Sequence, residues 1–515
     1  MIRRYSASAD NTIVNAFEPN LRTRATGANA GVADVLEVYS IYGRQYTGSQ
    51  ELSRVLIKFP ITAISADRTS GIVPASGSVS FYLRLFNAPT SKTVPKDLRL
   101  VVNPLFNPWQ EGVGLDLEAY KDETKGNAGS NWMSASSTAS WNSVSGGADW
   151  LSSSADYRYE QLFRAGTEDL KIDITPLVER WVKGSSGGGI ANYGLGVKLT
   201  SSQEAFGTAS AGNAQSVQNN KKGATKSYYT KRFFARGSQY FYCRPIIEAR
   251  WDSTTRDDRG NFFFSSSRAP AADNLNTLYF YNYVRGRLVN LPSVGTGKIR
   301  VSLYSGSLYD TNPSGSKLPL YDGNTNMTGG WVSTGMYTCS IGIKSSSVET
   351  FYDVWHSQSA GGTAVTEYFT GSVLPSLIGG GNTHSMPTRV LNITNLQNRY
   401  RSDQTARLNL FVRNRNWSPN VYTKVVKSTR SIGIMSASYR VFRVLDGYEA
   451  IPYGTGSDFC TGLSYDVSGN YFDLDMKLLE PGYAYGLKFS FYDETLDSWE
   501  EQSEMFKFRV ENYEY

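Results

Sequence analysis

Histidine is the side chain most often recruited for proton transfer and metal binding near neutral pH. This chain of 515 residues has two, His356 and His384. His356 lies in Tyr352-Asp353-Val354-Trp355-His356-Ser357, an apparent strand, and His384 in a Gly/Asn/Ser loop. Neither has a second histidine or a cysteine at ligand spacing. The three cysteines, Cys243, Cys339 and Cys460, are isolated and odd in number. They form no disulfide framework or zinc pattern and suit a reducing compartment. Gly184-Ser185-Ser186-Gly187-Gly188 has the letters of a nucleophile elbow, which needs a strand before it and a helix after it. Here a short helix precedes it. Gly295-Thr296-Gly297-Lys298 lacks phosphate-loop spacing, and Ile299 stands where a hydroxyl must hold magnesium. Paired carboxylates remain, since a glycosidase needs only two acids at about 5–9 Å. Glu111 with Asp116, or Asp473 with Asp475, could form such a pair, although acids at i and i+2 of a strand also simply share its exposed face. The expectation is no catalytic residue, cofactor or metal, with a polysaccharide depolymerase kept as a third reading.

Binding chemistry is better represented. Trp132, Trp141 and Trp150 could form an exposed platform that stacks host surface glycans. The structural alternative is that Trp109, Trp132, Trp141 and Trp181 are buried and anchor long loops, with Glu111 beside Gly112 satisfying backbone donors in a turn. Between residues 221 and 250 the cations Lys221, Lys222, Lys226, Lys231, Arg232, Arg236, Arg244 and Arg250 face a single acid, Glu248. Interleaved Tyr228, Tyr229, Phe233, Phe234, Tyr240 and Tyr242 would suit a single-stranded nucleic acid. They alternate as strand residues do, however, and cations on an exposed strand discourage edge aggregation, so no nucleic-acid partner is expected. The tail is acidic, with Asp493, Glu494, Asp497, Glu500, Glu501, Glu504, Glu511 and Glu514. The net charge of +6 is therefore a near-cancellation of two zones. Lys221, Lys222, Lys226, Lys231 and Arg232 on one copy could meet Glu500, Glu501 and Glu504 on the next, as head-to-tail assembly requires. The alternative is two solvated faces.

The elements that position these residues are nearly all β. Apolar residues make up 40% of the chain and charged residues 19%, a globular balance. At roughly 100–200 residues per domain the length suits three or four domains. Period-two runs such as 78–85, 297–304 and 407–413 predict antiparallel strands with one face buried and one wet. Thr175-Pro176-Leu177-Val178-Glu179-Arg180-Trp181-Val182 predicts a short helix capped by Thr175 and ended by the glycines after Lys183. Ser/Gly/Asn-rich stretches over 134–156 and 200–225 predict surface loops. Polar or glycine-rich breaks near 252 and 380 divide the chain into 1–252, 253–379 and 380–515, the last two of immunoglobulin-module size. Leu479-Glu480-Pro481-Gly482-Tyr483-Ala484-Tyr485 resembles a tyrosine corner. No apolar run approaches the roughly 20 residues of a membrane helix, and no signal-peptide core follows Arg3-Arg4, so no membrane and no secretory route are expected.

Within residues 11–251 a series of segments resembles, in order, the DNRLRE-type β-sandwich domain of bacterial surface and phage proteins. It begins with Ser53-Arg54-Val55-Leu56-Ile57-Lys58-Phe59 and Phe81-Tyr82-Leu83-Arg84-Leu85. Trp109-Gln110-Glu111-Gly112, Trp132-Met133-Ser134-Ala135 and the stretch from Trp141 to Gly146-Gly147-Ala148-Asp149 follow. Then come the strand and helix of 172–184, Asn192-Tyr193-Gly194-Leu195-Gly196-Val197, and the closing strands from Phe233 to Arg236 and from Arg244 to Glu248. The resemblance covers nearly half the chain. It implies an all-β, multi-domain protein: a jelly-roll-like, DNRLRE-like β-sandwich followed by two immunoglobulin-like β-sandwiches. This copy departs from the pattern in its long polar insertions and missing secretory signal. With β modules free of catalytic motifs, the whole resembles a virion structural protein of a tailed bacteriophage. Such a protein assembles in the host cytoplasm in many copies, with itself and other virion proteins, at a neck or collar, tail or fibre, or capsid surface. A carbohydrate-binding adhesin recognising host surface glycans is the alternative.

Overall fold

The computed structural model describes residues 1–43, 50–91, 93–115, 119–120, 129–151, 157–208, 217–307, 310, 312–344, 348–358, 364–375, 389–418, 421, 431–493 and 496–512. The chain divides into two compact units, Met1–Asp252 with Gly456–Cys460, and Ser253–Thr455 with Thr461–Tyr515. Both are mostly β, built of several predominantly antiparallel sheets.

In the first unit the strands are β1 (Ile2–Ser6), β2 (Ala9–Val14), β3 (Val35–Tyr42), β4 (Gln50–Lys58), β5 (Ser80–Leu85) and β6 (Leu98–Pro104). They continue as β7 (Tyr159–Phe163), β8 (Leu170–Asp173), β9 (Leu195–Leu199), β10 (Tyr228–Phe234) and β11 (Ile246–Arg250). One sheet has the order β1-β11-β5-β8; the other runs β10-β3-β4-β9-β6-β7, with β2 also paired to β4. The two sheets share one apolar core, to which Val55 and Ile57 of β4, Phe81, Leu83 and Leu85 of β5, and Ile247 and Ala249 of β11 contribute.

Alternation along β4 sends Leu52 and Leu56 to its other face, where they pack with Leu105, Trp109, Trp132, Trp141 and Ala148. This sheet is therefore buried on both sides. The stretch 134–150, read as a surface loop from its polarity, is part of the cover over the second face. On β5 the face predicted to be wet carries Arg84, which is buried.

The described residues include the α-helices α1 (Ile61–Thr69) and α2 (Thr175–Lys183), besides short 3-10 turns. In α2 Pro176 occupies the first turn and Gly184 ends the helix at φ +65°. Its cap position is Ile174, not Thr175. The Thr175 hydroxyl instead accepts the Phe81 N–H at 2.8 Å and donates to Asp173 at 2.6 Å, joining β5 to the helix start. Arg68 of α1 and Glu179 of α2 pair at 2.6 and 2.8 Å.

The second unit contains β12 (Asn276–Tyr281), β13 (Tyr283–Val284), β14 (Arg287–Leu288), β15 (Lys298–Ser305), β16 (Met327–Ser333) and β17 (Met336–Ile341). Next are β18 (Phe351–Gln358), β19 (Ala364–Val373), β20 (Arg389–Ile393), β21 (Arg399–Arg401), β22 (Thr405–Asn414) and β23 (Ala437–Arg443). It ends with β24 (Glu449–Ile451), β25 (Ser464–Asp466), β26 (Gly469–Asp475), β27 (Ala484–Asp493), β28 (Ser498–Glu501) and β29 (Phe506–Glu511). The sheets are β12-β17-β16-β15-β18-β19, the hairpin β13-β14, β20-β22-β26-β25, and β21-β29-β27-β23-β24 with β28 on β27. Strand β22 has the predicted alternation, with Leu408, Leu410 and Val412 buried between more exposed neighbours. The Tyr485 hydroxyl donates to the Glu480 carbonyl at 2.8 Å, closing the corner expected there.

The four-stranded sheet is tied by one carboxylate. Glu248 of β11 is fully buried and accepts from Arg4 at 2.8 Å, Arg84 at 3.3 Å and Arg250 at 2.6 and 2.8 Å. Burial alone would raise its pKa. The guanidiniums of Arg4, Arg84 and Arg250 outweigh that and hold the carboxyl far below the ordinary glutamate range. The Glu248→Gln variant leaves three largely buried cations uncompensated and is expected to lose about 3–5 kcal/mol of stability, read as a lower urea midpoint with unchanged slope. Because the folded pKa is depressed, the Glu248 contribution is complete above the ordinary value of 4.5 and drains as the pH falls below it.

Candidate functional site

In the first unit a cleft of about 650 Å³ opens where the loop cover meets β6 and β9. Its floor begins with Arg54. That side chain projects from β4 on the Leu52 and Leu56 side, and its guanidinium makes two 3.0 Å bonds to the Glu204 carboxylate and one of 2.7 Å to the Gly147 carbonyl. The same guanidinium lies 5.2 Å from the Trp132 ring centroid and 5.6 Å from that of Trp150. Trp150 is held at the end of β6 by an isolated bridge to Leu105, and its ring lies against β9 at Gly196. Only glycine fits there, because a Cβ on residue 196 would sit 2.4 Å from the indole. Two residues along the same strand face, Lys198 places its ammonium 4.2 Å from the Trp150 centroid. Burial, reinforced by the neighbouring Arg54 charge, pushes the Lys198 pKa down to about 8.

Asp149 lines one wall and is saturated by the N–H groups of Asn142 and Ser143 at 2.7 and 2.9 Å and by the Asn107 amide at 2.7 Å. Gln218 and Asn220 close the other side by bonding to backbone carbonyls of residues 145, 146, 201 and 204. The result is a polar cleft with one aromatic ring in its floor and a second, Phe106, at 53% exposure. Phe106 carries no signal in the sequence beyond its type.

No known protein family matches this chain. No curated protein matches it either. Among solved structures, trypsin-activated alpha-2-macroglobulin from Escherichia coli aligns with 92% of the chain at 9% identity and a TM-score of 0.14. The chain spans 30% of that protein's length. A TM-score so low carries no argument about fold or function.

The three tryptophans do not form a platform. Trp132 is fully buried, with its indole N–H on the Ser145 carbonyl at 2.9 Å, and Trp141 is 5% exposed, with its N–H on the Asn131 carbonyl at 2.9 Å. Both pack over the second face of β4, the structural role weighed above. Trp150 alone reaches the cleft, and there Lys198 caps its ring. Glu111 accepts the Asp10 N–H at 2.8 Å and pairs with Arg236 at 2.8 and 2.9 Å, so it does satisfy a backbone donor. Its suggested partner Asp116 lies outside the described residues, as does His384. Asp473 is engaged by Arg407 at 2.8 and 3.0 Å, and Asp475 caps the Lys477 N–H.

His356 makes a contact that spacing could not reveal. Its Nδ1 faces the Ser357 carbonyl at 2.9 Å and its Nε2 the Ser302 hydroxyl at 2.8 Å. A carbonyl only accepts, so Nδ1 carries the proton and Nε2 accepts from Ser302. Ser302 and His356 are both buried, at 0% and 3% exposure, so the pair ties β15 to β18 rather than facing a substrate.

The basic zone separates into two classes. Lys231 is fully buried and donates to Asn87, Gly166 and Glu168 at 2.6–2.9 Å, so it cannot serve an assembly surface. Arg232 pairs with Glu37, and Arg236 with Glu111. Lys221, Lys222 and Lys226 are exposed. Among the acids, Glu501 is engaged by Arg440 at 2.8 Å and Lys488 at 2.6 Å, whereas no cation lies within ion-pair distance of Glu500 or Glu504 among the described residues.

Truncating either buried indole, in Trp132→Ala or Trp141→Ala, should cost about 3–5 kcal/mol and lower the urea midpoint; an exposed platform residue would leave it unchanged. A second test is pH-dependent. Burial pushes the Asp10 carboxyl up from 3.8 to about 7. A raised carboxyl pKa means that stability is lost as the pH rises through that window. Asp10→Asn should therefore gain stability over the parent chain from about pH 5 to about pH 8, measured by paired urea titrations.

Proposed function

We propose that this chain is a structural protein of a tailed-phage virion, made in the host cytoplasm and acting through multi-copy protein–protein assembly rather than catalysis. In this reading the first unit is a DNRLRE-like sandwich, and 253–379 and 380–515 are immunoglobulin-like modules. The observation that carries it is the turn before β10. Lys221, Lys222 and Lys226 are exposed, and no carboxylate lies within ion-pair distance of any of them among the described residues, while Lys231, Arg232, Arg236 and Arg250 are engaged internally. Within residues 221–250 the exposed cations are thus confined to one six-residue stretch. Glu500 and Glu504 offer the complementary sign, so a head-to-tail contact between copies uses charges that folding leaves unspent. The partners on this reading are further copies and other virion proteins, with no nucleic acid and no membrane.

Sedimentation velocity of the purified chain should show oligomers whose dissociation constant rises at least about fivefold between low and high salt. The triple variant K221E/K222E/K226E should shift it by a similar factor, and adding E500K/E504K should restore association. A chain that stays monomeric at every concentration, and is missing from particles in infected lysates, sinks the proposal.

A further inference from the structure

Lys231 of β10 is fully buried, yet its ammonium donates to neutral acceptors alone: the Asn87 side-chain oxygen at 2.6 Å and the carbonyls of Gly166 and Glu168 at 2.9 and 2.7 Å. No carboxylate lies within ion-pair distance of it among the described residues. The buried rings of Phe163 and Phe233 flank it, each centroid 4.9 Å from Nζ. An ion pair would hold the side chain charged. Burial without one pushes its pKa down to about 8 and makes the neutral, nucleophilic amine accessible. The carbon this amine faces is the Asn87 carboxamide. It lies one C=O bond, about 1.2 Å, beyond the 2.6 Å oxygen contact, so it is within about 4 Å of Nζ, close to the separation of reacting groups. Asn87 is fixed by a bridge to Phe233 and by its N–H, which donates to the Asp169 carboxylate at 2.7 Å. Of the carboxylates, Asp169 is the one whose charge acts most strongly on Lys231. The Asn87 amide nitrogen makes no hydrogen bond among the described residues, and the residue lines a cavity of about 240 Å³ with Ala88, Thr90, Thr167 and Thr230, which leaves room for a departing group.

We propose that Lys231 and Asn87 react with one another to form an intramolecular isopeptide bond. The lone pair of the neutral Nζ adds to Cγ of Asn87, one proton passes from Nζ to Nδ2 with Asp169 as its carrier, and the Cγ–Nδ2 bond breaks with its electron pair on nitrogen. The products are one secondary amide and one ammonia, so neither an oxidant nor a cofactor takes part; the proton lost when the ammonium became an amine goes to water. The bond ties β10 of the larger sheet to the segment that follows β5 of the four-stranded sheet. It closes a span of 144 positions and constrains the unfolded chain as a disulfide does. This modification goes beyond the assembly reading and does not depend on it.

The test is mass spectrometry of the purified full chain, denatured and then digested with trypsin. The intact chain should be about 17 Da lighter than its unlinked sequence, the mass of one ammonia, and residues 85–92 and 227–232 should be recovered as one joined peptide. Asp169→Asn keeps an acceptor for the Asn87 N–H but cannot carry the proton, so it should yield at least about tenfold less joined peptide after the same time. Should that variant not fold, the digest of the parent chain decides the bond by itself. Separate peptides for Asn87 and Lys231 at unmodified mass, or an ammonia loss confined to the Asn87 peptide, the mark of a succinimide, would overturn the bond. Undiminished joining in folded Asp169→Asn would overturn the part given to Asp169.

Discussion

The third layer of the first unit, the cover over β4, depends on the Arg54 guanidinium. Taking an arginine and a glutamate out of water costs several kcal/mol per ion, and the 3.0 Å fork between Arg54 and Glu204 is supported in offsetting this by a third hydrogen bond and by two aromatic rings. That bond goes to the Gly147 carbonyl, and the group lies 5.2 and 5.6 Å from the Trp132 and Trp150 ring centroids. A single side chain from β4 therefore fixes the cover loop through residue 147, the loop after β9 through residue 204, and two indoles. The cleft is the space these parts leave between them, so its shape follows from one buried ion pair.

The cover itself is polar in sequence yet closes over a sheet. Loops exclude water poorly because their backbone groups need partners. Here polar side chains supply them. Asn11 donates to Ser130, Asn29 donates to the carbonyls of Glu111 and Ser130, and Asn131 accepts the N–H groups of Met133 and Ser134. Gly112 lies so close to Asn29 that a Cβ there would come within 2.4 Å of its amide. The tryptophans provide the apolar area and the asparagines the hydrogen bonds, a division of labour that lets a Ser/Gly/Asn-rich segment act as a third layer.

This explains what could and could not be read from the chain. Strands with a single buried face, such as β22, declare themselves by alternation, and α2 does so through Pro176 and the glycines after Lys183. Tyr485 was legible because its bond to Glu480 is local. The burial of Trp132 and Trp141 was not, since polarity of the surrounding loop argues for exposure and only the two-sided burial of β4 reverses that. Lys231 misleads for a related reason. It shares the inward parity of Phe233 on β10, and which parity faces inward is decided by strands remote in sequence. Helix α1 follows Pro60 without a side-chain cap and has little apolar periodicity, so it owes its place to packing and to the Arg68 pair with α2. Glu248, conspicuous in sequence as a lone acid among cations, becomes intelligible once β1, β5 and β11 bring three arginines to it.

The pairing of β1 with β11 sets a schedule for making the protein. Ile2 is opposite Arg250 and Ser6 opposite Ile246, so the first strand of the unit has no ladder partner until its last strand exists. On a ribosome that adds about 5–20 residues per second, the N-terminal strand waits on the order of tens of seconds with its edge unpaired. During that interval Arg4 and Arg84 lack the carboxylate that compensates them in the folded sheet. Arrival of Glu248 on β11 supplies both the ladder partner of β1 and the carboxylate that Arg4 and Arg84 share, so strand pairing and charge compensation are completed by the same short segment.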